Sequence, residues 1–239
     1  MEDYIYVILS RTPSVIGKII RLIFNNKYNH VSISLNENLT EMYSFCRLSA
    51  NNPLVGGMVK ESIFTLTLGN EIDVPIRIYR IPMSNDRYEF IKKFIYDIYN
   101  DEEGYYYNFL QAFGVIWGKK CNLYRTYICS EFVMDAIKQS GLDLTPSEVH
   151  KISPADIDGI LSEYLTYSGT INDYPYKSAT KSKEDYSFFR RTGFISELHR
   201  TFGHYIMLIS RHESSKETKS TLYIGVSVVL GILNKIKEI

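Results

Sequence analysis

Residues Tyr4 to Ser10 form a short apolar run that predicts a buried strand. Thr12-Pro13 then sets an N-cap before a proline at the first helical position, and Val15, Ile16, Ile19, Ile20 and Ile23 follow at helical spacing. In the next segment Val31, Ile33 and Leu35 alternate with Ser32 and Ser34, the mark of a half-buried strand that His30 opens. Asn36-Glu37-Asn38 predicts a turn into a second strand over Thr40 to Arg47.

A glycine-bearing loop leads to a further strand over Ile72 to Ile81, which Pro75 assigns to an edge or a bulge. Phe90, Ile91, Phe94, Ile95 and Ile98 define one face of a helix from about Asp86 to Tyr99, and the aromatic stretch Tyr105 to Trp117 reads as another helix. Positions 129, 132, 133, 136 and 137 share one face of a helix that Cys129 begins and Gly141 closes. Lys177 to Asp185 is polar and poor in apolar residues, as a linker is. The pattern predicts an α+β domain over residues 1–165, a linker over 166–185 and a helical extension over 186–239.

Composition narrows the function more than the fold. A chain of 239 residues with 45% hydrophobic and 23% charged residues is of ordinary globular make-up. Its formal net charge of zero gives no electrostatic reason to expect nucleic acid. From Tyr186 onward eight Lys/Arg face four Glu. That surplus, with Phe194, Ile195, Leu198, Phe202 and Tyr205 on one possible helical face, leaves peripheral contact with an anionic membrane open for the tail. The longest apolar run, Leu222 to Leu233, is shorter than a bilayer span and includes Ser227. The Met1-Glu2-Asp3 start lacks a basic signal-peptide region, so a cytoplasmic location is expected. The three cysteines, Cys46, Cys121 and Cys129, form no CxxC pair, which argues for free thiols in a reducing compartment. The spacing of His199, His204 and His212 suits no zinc site, and no cofactor is expected.

The chemistry concentrates at Cys129 and His30. A cysteine in the first turn of a helix lies where unpaired backbone N–H groups and the helix dipole favour a thiolate, and the same N–H groups can donate to an oxyanion. The competing reading is a small buried hydrophobe. His30, at the entrance of a strand, is placed to meet a helix tip. With a two-residue turn, Asn36-Glu37 or Glu37-Asn38, Glu41 falls on the sheet face of His30. The first register sets it opposite Ser32, diagonal to His30, and the second opposite Ser34. A three-residue loop would turn it to the other face.

The segments Asn29-His30-Val31-Ser32-Ile33, Thr40-Glu41-Met42-Tyr43 and Tyr127-Ile128-Cys129-Ser130-Glu131-Phe132-Val133 resemble, in order and context, the permuted branch of the NlpC-type papain-like superfamily. That branch holds YiiX-like proteins and relatives of lecithin retinol acyltransferase. Ile152-Ser153-Pro154-Ala155-Asp156-Ile157 continues the likeness, which covers roughly Tyr4 to Ile160. It implies a permuted papain-like fold, with an antiparallel sheet packed on the nucleophile helix. The site it implies has Cys129 as nucleophile, His30 as base and Glu41 orienting the imidazole, with Tyr127 and Tyr43 as oxyanion or substrate contacts. The implied activity is that of an amidase, peptidase or thioesterase acting on small acyl-amide, peptide or lipid substrates. The alternatives are acyl transfer between lipids and a non-catalytic lipid- or peptide-binding module of the same fold.

Overall fold

The computed structural model describes residues 3–13, 21, 27–47, 56–67, 72–108, 111 and 123–177. Eight strands form one sheet: β1 (Asp3–Ser10), β2 (His30–Ser34), β3 (Met42–Arg47), β4 (Gly56–Glu61), β5 (Pro75–Met83), β6 (Tyr106–Tyr107), β7 (Thr126–Tyr127) and β8 (Leu165–Thr170). Their spatial order is β7-β6-β4-β3-β2-β1-β5-β8. All neighbours are antiparallel except β6 and β7, so the sheet is mixed rather than purely antiparallel. The described helices are α1 (Ile63–Leu66), α2 (Asn85–Tyr99), α3 (Cys129–Gln139) and α4 (Pro154–Ile160).

Central β1 has apolar residues pointing both ways because both faces of the sheet are covered. One core joins Val7, Leu9, Val31, Ile33 and Phe45 to the inner faces of α2 and α3. The other joins Tyr6, Ile8, Met42, Ile76 and Ile78 to Leu66, Ile171 and Tyr174. α2 buries Ile91, Ile95 and Ile98, while Phe90, assigned to the same stripe by spacing, is exposed.

Several expectations are corrected. Pro75 starts β5 without making it an edge: the strand lies between β1 and β8, and a first-residue proline needs no ladder donor. A register shift does occur between Ile78 and Tyr79. Tyr106 and Tyr107, expected in a helix, are strand residues. The domain does not stop at residue 165, because β8 pairs with β5 and Tyr174 is buried. Gly56 and Gly57, which suggest a loop, begin strand β4. Gly56 is needed there, since a Cβ would lie 2.6 Å from Cβ of Tyr107 and 2.8 Å from the Cys46 carbonyl oxygen. The helix expected after Pro13 apart from Arg21, residues 178–185 of the linker, the whole extension, its histidines and Cys121 lie outside the described residues. Among the described residues no helix is long and apolar enough to cross a membrane.

Candidate active site

His30 is the first residue of β2, opposite Ser10 of β1, so its ring stands at the end of the sheet rather than over its middle. Nε2 lies 2.9 Å from Oε1 of Glu61, and both side chains are almost wholly buried. The other oxygen of Glu61 accepts from Ser32 Oγ, whose hydroxyl also lies 3.4 Å from the His30 ring. Glu61 ends β4 and reaches His30 across β3. On that intervening strand the residue paired with Val59 is Ser44, small and buried, which leaves room for the carboxylate to cross.

Cys129 begins α3, and its buried side chain lies near enough to His30 to help raise the pKa of the ring. Ile128 caps the helix with backbone alone, and the first hydrogen bond of the helix runs from Phe132 N to Ile128 O at 3.0 Å. The amides of Cys129, Ser130 and Glu131 therefore precede the helical ladder, as the first N–H groups of any helix do.

Packing fixes this helix against the histidine strand. Phe132 lies 5.1 Å from Phe45 of β3 and 6.0 Å from Phe94 of α2, ring centre to ring centre, pairs worth about 0.5–1.5 kcal/mol each beyond burial. Ser130 Oγ donates to Ile152 O at 2.6 Å and ties the first turn to the chain entering α4. At that entry Ser153 and Asp156 form a reciprocal capping box. Gly141, with φ of 86°, ends the helix as its position in the sequence predicts.

Electrostatics hold the pair charged. Burial alone would push the His30 pKa down, but the Glu61 carboxylate and the hydrogen bonds to Cys129 and Glu61 outweigh it and raise the value to about 10. For Glu61 burial pulls upward, yet His30 and the Ser32 hydroxyl bring the pKa below its ordinary 4.5. A raised histidine contributes stability in full below 6.5, and that share is lost as pH climbs through about 10. A lowered carboxylate contributes above 4.5 and loses its share as pH falls through the folded value. The urea midpoint of the native protein is therefore expected to fall from about pH 6 to about pH 10 more steeply than that of His30→Gln. Equal slopes for the two proteins would show that the pair is not ionised.

The other expected site residues lie elsewhere. The register pairs Ile33 with Tyr43 and Ser34 with Met42, and Leu35 N donates to Glu41 O at 3.0 Å. The loop thus holds residues 36–40, an odd number, and a one-residue change of register moves Glu41 to the opposite face. Asn36 Oδ1 accepts from Thr40 N at 3.0 Å, and Leu39 adopts a φ of 59°; together they make the wider turn. Glu41 accepts instead from Tyr96 Oη at 3.1 Å, and Tyr43 packs edge-on against Tyr96 and Tyr99. Tyr127 Oη donates to Asp135 at 2.9 Å, which commits the hydroxyl expected at the oxyanion. Glu61 is the residue that sequence reasoning missed. Its signal was faint: a carboxylate after the apolar Met58-Val59, immediately before the Ser62–Thr65 capping box. Cys46 is half-buried on β3.

Comparison with known proteins adds no relative to this picture, since no family model, no curated protein and no solved structure matches the chain.

Proposed function

We propose that the chain is a cysteine hydrolase of the permuted papain-like kind, acting on an acyl or peptidyl carbonyl as an amidase, peptidase or thioesterase. The observation that carries this reading is one buried imidazole held by a carboxylate at 2.9 Å and close enough to a thiol at a helix start for the two to influence each other electrostatically. Such an arrangement assigns a role to every member. Protonated His30 holds Cys129 as the thiolate, and Glu61 fixes the ring and balances the imidazolium. The sulfur attacks the carbonyl carbon, and backbone N–H groups at the start of α3 receive the negative charge on oxygen. As the tetrahedral intermediate collapses, the C–N or C–S bond breaks and the leaving group takes the proton from His30. Water then gives a proton to His30 and attacks the thioester, which releases the acid and restores the thiolate beside the imidazolium. A small buried cysteine without chemistry would need neither the histidine nor the buried carboxylate beside it.

The test is selective alkylation. Limiting iodoacetamide near neutral pH, followed by peptide mass spectrometry, is expected to modify Cys129 at least about tenfold faster than Cys46 or Cys121 in the folded protein. Modification of all three at equal rates would remove the site.

A further inference from the structure

We infer that the guanidinium of Arg21, supported by Arg11, binds an anionic group, phosphate or carboxylate, on the substrate that Cys129 attacks. This inference rests on the hydrolase reading and narrows its substrate class.

The arginines of this fold divide by what they bond. Arg77 is neutralised by Asp158, and Arg125 by Asp101 and Glu103. Among the described residues Arg21 bonds neutral acceptors instead: Nη1 donates to Thr12 O at 3.0 Å and to Asn29 Oδ1 at 2.6 Å. Asn29 is itself fixed, donating from its side chain to Thr12 Oγ1 at 2.6 Å and from its backbone to Ser10 O at 3.1 Å. Arg21 is thus held from the residue next to His30, where β2 begins opposite the last residue of β1.

Local sequence leaves this cation without a counter-charge. From Tyr4 to Asn36 the chain has no Asp or Glu, while Arg11, Lys18, Arg21 and Lys27 all fall within it. The whole protein has equal numbers of acidic and basic residues, so the bias belongs to the segment that leads into His30 and not to the composition. Burial lowers the Arg21 pKa, and the charge of exposed Arg11 lowers it further. Bringing a second cation towards a partly buried first one costs free energy unless an anion joins them. A guanidinium with one nitrogen anchored still offers a fork to an oxyanion, the geometry that suits phosphate and carboxylate.

Two measurements on the full chain test this. Inorganic phosphate is expected to raise the thermal midpoint of the native protein above that in chloride of equal ionic strength, and Arg21→Met is expected to lose the increment. Iodoacetate and iodoacetamide differ in the anionic carboxylate, so the ratio of their alkylation rates at Cys129 reports the local field. That ratio is expected to fall about threefold in Arg21→Met, an effect in the range of a partly screened charge. A phosphate increment that is absent, or equal in both proteins, overturns the proposal. So does an unchanged alkylation ratio, which would put any bound anion away from the thiol. Should Cys129 react no faster than Cys46 and Cys121 while the increment still depends on Arg21, the hydrolase reading falls and the anion site stands apart from it. If Arg21→Met does not fold, Arg11→Gln carries the same two measurements, with about a twofold fall in the ratio expected.

Discussion

Glu61→Ala is expected to lower folding stability by about 3–5 kcal/mol, the cost of leaving a buried charge without its partner. The carboxylate lies 2.9 Å from His30 with both side chains nearly excluded from solvent, and it also accepts from Ser32. Its removal therefore leaves an imidazolium that must give up its proton, and a hydroxyl without an acceptor. Glu41→Ala removes one hydrogen bond from Tyr96 at the edge of α2 and is expected to cost about 0.5–1.5 kcal/mol. Urea unfolding of the two variants side by side separates the carboxylates. If Glu41→Ala proves the more damaging, Glu61 is not the partner of the histidine.

The larger functional effect is expected at the thiol and its base. With p-nitrophenyl acetate as a general acylating reagent, the native protein should release a rapid burst of about one nitrophenolate per chain as the acyl-thioester forms. Cys129→Ala has no sulfur to acylate and His30→Ala no imidazolium to hold the thiolate, so each is expected to lose about 10⁴-fold in acylation rate and all of the burst. Glu61→Gln keeps a carbonyl acceptor for Nε2–H and loses the charge that balances imidazolium, so its acylation rate should fall between these variants and the native protein. A full burst from Cys129→Ala would place the reactive group elsewhere.

The parts of this site differ in how plainly they stand in the sequence. The helix of Cys129 is visible because apolar residues recur at one spacing from Cys129 to Ile137 and Gly141 supplies the stop. β1 and β2 are visible for the same reason, with His30 at the strand entrance. The third residue was hidden by two local facts. Glycine at positions 56 and 57 looks like loop, while here Gly56 admits Tyr107 against the strand. Turn length, which decides the face of every later residue, depends on side-chain bonds among Asn36, Asn38 and Thr40 that residue type alone does not rank. Tyr106 and Tyr107 were misread because a two-residue strand is too short to show a period. Its existence depends on distant partners, Gly57 on one side and Thr126 on the other.

The order of the site residues along the chain bears on how the protein is made. Synthesis runs from the N-terminus, and His30 and Glu61 both precede the nucleophile by more than sixty positions. Strands β1 to β4 pair as neighbours around them, apart from the later insertion of β5 at the far side of β1. The charged pair therefore belongs to the part of the sheet that emerges first from the ribosome, and domains commonly begin to fold in that direction. A nascent chain that has reached β4 holds its base and carboxylate without a sulfur to activate. The thiol arrives with α3, after the histidine and carboxylate, so on the hydrolase reading nucleophilic reactivity would be gained late in the life of the growing polypeptide.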